Sequence, residues 1–246
     1  MSENDQHLSC YVCPGKKVLN TQLNLYQKAY DCWKYVWEET LMEVTGKKQL
    51  PSDTFIRQDV IVNIFYKDDC IANIFFNQHN LSHPVARDDS YFAYWPEDVY
   101  REIENEAKRV IVSSHFTVHP DYRKRICGIP SMYILMGYMV KQLQVFPESL
   151  MLGTMRNKVG ANKLAYRFHA KPIRQNIVQY GEESDIVVWR KGEAIDCANE
   201  NHRELVDSVW KNRVIDPELM PYQPIENENE RAPSIRTEAG INVSSF

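Results

Sequence analysis

A run of β-branched and aromatic residues from Val110 to Val118 passes through His119 and Pro120 into Arg123, Lys124 and Arg125, then Ile126, Cys127, Gly128 and Ile129, and finally a long apolar stretch. That order reads as a strand, a basic loop and a helix start. A helix N-terminus presents unpaired N–H groups and about half a positive charge, so it suits a phosphate-type anion bound by main chain. The stretch from Met132 to Leu143 is nearly all apolar and stops before Pro147, and Leu150 to Met155 is a short apolar strand. Strand, helix and strand in that order predict a parallel crossover.

The rest of the chain punctuates clearly. Tyr26, Ala29, Tyr30, Trp33, Val36, Trp37 and Leu41 recur at helical spacing until Gly46 and Pro51 interrupt them, which predicts an amphipathic helix facing a core. Residues 59–66 and 70–76 flank Lys67, Asp68 and Asp69 as two antiparallel strands around a tight turn. Residues 80–95 carry Pro84, Asp88, Asp89 and several aromatics without a period, a long loop placed to cover a site. Short helices are expected over 99–107, 160–169 and 198–210, and a second hairpin over 175–180 and 186–190.

With 246 residues, 43% of them hydrophobic, one domain over 1–215 suffices, and the Pro-, Glu- and Asn-rich stretch 216–246 reads as a disordered tail. A formal charge of −4 argues against nucleic acid as a partner, no apolar run is long enough for a membrane span, and the polar start lacks a signal pattern, so a cytoplasmic protein is expected. The six scattered cysteines read as reduced thiols. Cys10 and Cys13 have the spacing of a metal or redox pair, but no second pair follows, and an N-terminal strand accounts for them without a metal.

Over residues 20–195 this order of elements resembles the GNAT acyltransferase superfamily. Val118, His119 and Pro120 leading to Arg123 and Gly128 are similar to that family's V-x-P and R-x-x-G-x-G/A motifs, with Ile126 in place of the first glycine. The resemblance implies an α/β (α+β) fold with a mixed, mostly antiparallel central sheet flanked by helices. It also implies an N-acyltransferase that moves an acyl group from coenzyme A or an acyl carrier protein to an amine of a small molecule by direct attack. A non-catalytic relative that binds an acyl thioester or a protein partner is the alternative, and Ile126 is its main support. The donor-binding residues implied are Phe116, Thr117, Val118, Arg123, Lys124, Arg125, Ile126, Cys127, Gly128, Ile129 and Asn157. Ser113 to Val118 is similar to the S-R-F-x-V strand of acyl-homoserine-lactone synthases and related N-acyl amino acid synthases, with Val112 and His115 where that branch carries Glu and Arg.

Direct attack needs a polarised carbonyl and an acceptor for the amine proton. His115 is the first candidate base and His119 the second, while strand alternation leaves open that His115 is a core histidine on the helix side. By resemblance Tyr166 protonates the leaving thiolate; packing against the sheet explains the same residue. Cys127 reads as a nucleophile at a helix start or as an apolar filler.

Overall fold

The computed structural model describes residues 7–46 and 48–219. β1 (Leu8–Cys13) is followed by α1 (Leu23–Thr45), a single turn α2 (Asp53–Ile56) and the strands β2 (Val60–Tyr66) and β3 (Asp69–Asn80). After a loop come α3 (Glu97–Glu106) and β4 (Arg109–Val118), then the two-residue strands β5 (Arg125–Ile126) and β6 (Ile129–Pro130), α4 (Ser131–Val145) and β7 (Leu150–Arg156). α5 (Ala161–Arg167), β8 (Lys171–Gln179), β9 (Glu182–Arg190), α6 (Arg203–Lys211) and β10 (Val214–Ile215) complete the described chain.

Eight strands form one sheet in the order β10-β1-β2-β3-β4-β7-β9-β8, parallel at β10/β1 and β4/β7 and antiparallel elsewhere. α1 covers one face because Ala29, Cys32, Trp33 and Val36 form its buried stripe against Tyr11, Ile61 and Phe75. Gly46 ends it in a left-handed conformation (φ 71°) that closes the last turn onto Met42. α4 covers the other face and is buried over most of its length, which fits its unbroken apolar sequence. Burying one large apolar side chain contributes roughly 1.5–3 kcal/mol, so Trp33, Tyr138 and Trp189, each fully buried, outweigh the exposed ion pairs as sources of stability.

β1 carries Cys10 and Cys13, and a three-residue step on a strand sends their side chains to opposite faces, Cys10 to the α4 core and Cys13 to the α1 core. They cannot chelate one ion. The described chain continues past the expected boundary at 215: Asp216 is fully buried, accepts from the Tyr11 hydroxyl (2.7 Å) and receives the Leu19 N–H. The expected tail from 220 onward lies outside the described residues.

Candidate active site

β4 and β7 pair side by side only at Ile111–Met151 and Val112–Leu152, and then part. Ser113 Oγ donates to the Leu152 carbonyl (3.0 Å) at the last joined step. Beyond it, β4 bulges: Asn73 and Phe75 of β3 face Thr117 and Ser114, so one extra residue of β4 is accommodated and His115 takes a left-handed φ of 51°. A bulge bends and twists its strand. Here it steers β4 away from β7 and opens a cavity of about 860 Å³, walled by α1, β4, β7, the start of α4 and the 81–96 loop. That volume lies within the roughly 300–1,000 Å³ of small-molecule sites.

His115 and Phe116 both line the cavity, on opposite sides of the sheet. Phe116 packs toward the α4 core, whereas His115 sits among Trp33, Trp37 and Phe75, with its Nδ1 3.1 Å from Ser114 Oγ. Burial, with a contribution from Arg57, pushes the His115 pKa down to about 3, so the ring is neutral near pH 7. Thr117 is spent inside the fold: its Oγ1 donates to the His115 carbonyl and accepts from Trp37 Nε1 (2.9 Å). Val118 remains on the cavity wall.

The basic loop does not run directly into a helix. Ile126 pairs with Ile129 in a two-stranded hairpin whose central residues, Cys127 (φ 51°) and Gly128 (φ 77°), are both left-handed, the conformation of a type I′ turn. α4 starts only at Ser131, whose hydroxyl donates to the Tyr122 carbonyl. The expectation that the basic loop opens straight into a helix N-terminus is corrected accordingly. Ile126 and Ile129 bury their side chains in the core and pair their backbones with each other, so neither is presented to a ligand as a glycine-rich loop would be. The Tyr122 and Arg123 N–H groups close turns onto His119 and Pro120, and Asp121 N–H reaches His119 Nδ1. Arg123, Lys124 and Arg125 are exposed; Arg123 lines the cavity, and Arg125 donates to the Gly128 carbonyl (3.0 Å). His119 stacks on Tyr35 at 5.1 Å outside the cavity wall.

Asn157 and Tyr166 converge on a different centre. The Tyr166 hydroxyl donates to Asp185 Oδ2 (2.5 Å), Asn162 donates to the same oxygen (2.8 Å), and Asn157 Nδ2 and the Asn176 N–H donate to Oδ1. Burial alone would raise the Asp185 pKa, but these four donors hold it below the usual carboxylate value. Neither Asn157 nor Tyr166 lies on the cavity wall. Together they clasp α5 and its preceding turn to β9.

Residues to which the sequence reading assigned no role line another part of the cavity. Tyr91 and Asp89 enter from the 81–96 loop, His79 from the end of β3, Thr154 from β7 and Arg57 from the segment before β2. The signal for the loop residues was the aperiodic, aromatic-rich stretch 80–95, with Tyr91, Phe92, Tyr94 and Trp95, which was expected to cover a site. Burial raises the Asp59 pKa and lowers that of His79. At the opposite rim Lys158 bridges Glu43 of α1 (2.7 Å) and Glu182 of β9 (3.4 Å), crossing the gap between the two halves of the wall.

No family model matches the sequence, and no curated protein matches it. Solved structures match the fold. A CoA-dependent acyl-homoserine lactone synthase, BjaI, with SAM and isopentyl-CoA superposes with a TM-score of 0.50 at 11% identity, over 85% of this chain and 92% of that one. The AHL synthase LasI gives 0.50 at 7% identity over 75% and 90%. A mosquito arylalkylamine N-acetyltransferase like 5b gives 0.52 at 12% identity over 74% and 99%. The chain therefore has a GNAT-like fold, with a mixed and mostly antiparallel sheet between helices.

Proposed function

We propose that the chain is an N-acyltransferase, taking an acyl group from an acyl thioester of coenzyme A or an acyl carrier protein and passing it to an amine of a small molecule by direct attack. The parting of β4 from β7 at a bulge is the observation that carries this reading, because it exposes strand main chain inside a cavity that spans both faces of the sheet. A thioester laid in the split meets the β4 backbone around Phe116 and Val118, whose N–H groups polarise its carbonyl. Arg123, Lys124 and Arg125 hold the donor's phosphates with side chains, since the Ile126 and Ile129 main chains pair with each other. His115 is too weak a base at a pKa of about 3 to carry the amine proton away, so it serves as a neutral wall and hydrogen-bond partner for the acceptor.

The cavity also bears on chain length. One water's share of liquid is roughly 30 Å³, so an acetyl group fills on the order of 100 Å³, a small part of about 860 Å³. Val36, Leu41, Val44 and Leu50 on one side and Met132, Met136 and Leu164 on the other make apolar walls for a longer acyl group. The occupied main chain of the hairpin favours one other reading, a module that binds an acyl thioester without turning it over.

Both readings are separated by melting the protein with acetyl- and hexanoyl-coenzyme A and by following thiol release with a panel of amines. The transferase reading expects a higher Tm with hexanoyl-coenzyme A and thiol release that depends on the amine. A shift without release selects the binding module, and no shift with either thioester removes the donor assignment. At a donor concentration 100 times Kd the stabilisation of about 2.7 kcal/mol corresponds to a Tm rise of roughly 5–10 °C for a chain of this size.

A further inference from the structure

The acids on the cavity wall already have partners within the fold. Asp59 Oδ2 accepts from the Gln78 N–H (2.8 Å), Asp89 Oδ1 accepts from the Tyr91 N–H (2.8 Å), and Glu43 and Glu182 both hold Lys158, with Glu182 also taking Arg156 (2.6 Å). Arg156 is thus paired, and Arg123 Nε donates to the Val118 carbonyl (3.4 Å). Arg57 differs. It is exposed on the wall, and among the described residues its guanidinium makes no hydrogen bond or ion pair, while its charge reaches both the His115 ring and the Tyr180 phenol. The cavity therefore carries an unmatched positive charge on the His115 side of the sheet.

Tyr180 bounds the same region. It takes the first central position of the turn between β8 and β9 with a φ of 51°, followed by Gly181 at 79°. Such a turn favours Asn, Asp or Gly, so a tyrosine there is strained. The strained residue sets an aromatic ring on the cavity wall, packed on Tyr94 at 5.0 Å.

We infer that Arg57 anchors a carboxylate of the acceptor, so that the amine receiving the acyl group belongs to an amino acid. The inference rests on the acyltransferase reading and names the class of its second substrate. An α-amino acid carries amine and carboxylate on one carbon, which suits an anchor whose charge is felt at His115, beside the split. A guanidinium meets a carboxylate with two parallel N–H donors, a stronger contact than a neutral hydrogen bond, and it keeps its charge at every working pH. The neutral His115 ring next to it repels neither end of such a substrate. A diamine, by contrast, would bring its second cation toward Arg57 with every acid on the wall already engaged.

Thiol release from hexanoyl-coenzyme A is followed with leucine against isopentylamine and with phenylalanine against phenethylamine, pairs that differ by the carboxylate alone. The parent protein is expected to use each amino acid better than its amine by roughly 10–100-fold in kcat/KM, the range of a hydrogen bond to a charged group. Arg57→Gln is expected to erase that ratio. The Tm rise with hexanoyl-coenzyme A persists in this variant and shows that it is folded and takes the donor. A parent that uses the amines as well as the amino acids overturns the inference, as does an Arg57→Gln variant that keeps the parental ratio or loses the donor-dependent Tm rise. Those outcomes leave the acyltransferase reading standing, because the parent still releases thiol. If none of the four acceptors prompts release, that reading fails first and takes the role of Arg57 with it.

Discussion

His115 shows how a single position can carry a consequence for the whole stability curve. Its ring titrates near 6.5 in an unfolded chain and near 3 in the fold, where burial among Trp33, Trp37 and Phe75 and the charge of Arg57 disfavour the imidazolium. Between those two values the unfolded state binds one more proton than the native state. The stability this provides is therefore fully present above pH 6.5 and is lost as pH falls toward 3. Replacing His115 by Gln is expected to flatten the acid side of a stability profile by one proton, about 1.4 kcal/mol per pH unit at most, measured by urea unfolding from pH 3 to 7. An unchanged slope would show that His115 is solvated and freely titrating. The identity of this histidine was visible in the sequence, but its direction was not, because alternation along a strand fails at a bulge and nothing in Ser113 to Thr117 announces one.

Among the elements, the hairpin of β5 and β6 departs most from expectation. Arg123 and Gly128 match the spacing of a phosphate loop, yet Ile126 is 5% exposed and Ile129 4%, so two apolar side chains pull the segment into the core. The gain from burying them outweighs what a free loop backbone would offer. Ile126→Gly, which places a glycine where the GNAT motif that this stretch resembles has one, is accordingly expected to destabilise the protein by about 3–5 kcal/mol without tightening donor binding. Denaturant unfolding and calorimetric titration with coenzyme A measure the two effects, and tighter binding at little cost in stability would reinstate the main-chain cradle. The elements with strong periodicity were legible: α1 and α4 from helical spacing, β2 and β3 from two β-rich runs around a short turn. The two-residue strands were not, since their pairing depends on what packs beneath them.

Across the whole molecule the cavity divides the fold into two walls. α1 rests on β3 and β4, while α5 and β9 accompany β7. The exposed pair Glu43–Lys158 joins the walls at the rim, and Asp185 fastens the second wall internally through Asn157, Asn162 and Tyr166. Exposed ion pairs are weak and screened by salt. Lys158→Met is thus expected to leave the Tm unchanged while speeding amide exchange in the last turn of α1 and the turn before α5, and high salt should mimic it in the parent protein. Hydrogen exchange read by mass spectrometry checks this, with uniform protection at the rim counting against a separable wall. What the sequence determined by itself was local and periodic: the helices, the hairpins, the crossover and the order that makes them one fold, because hydrophobic period and turn chemistry act over a few residues. Tertiary structure decided which groups meet in the split, bringing Tyr91 to Thr154 across 63 positions and sending Tyr166 to Asp185 instead. Those meetings depend on where strands part and which side chains find buried partners, and no short-range pattern encodes either.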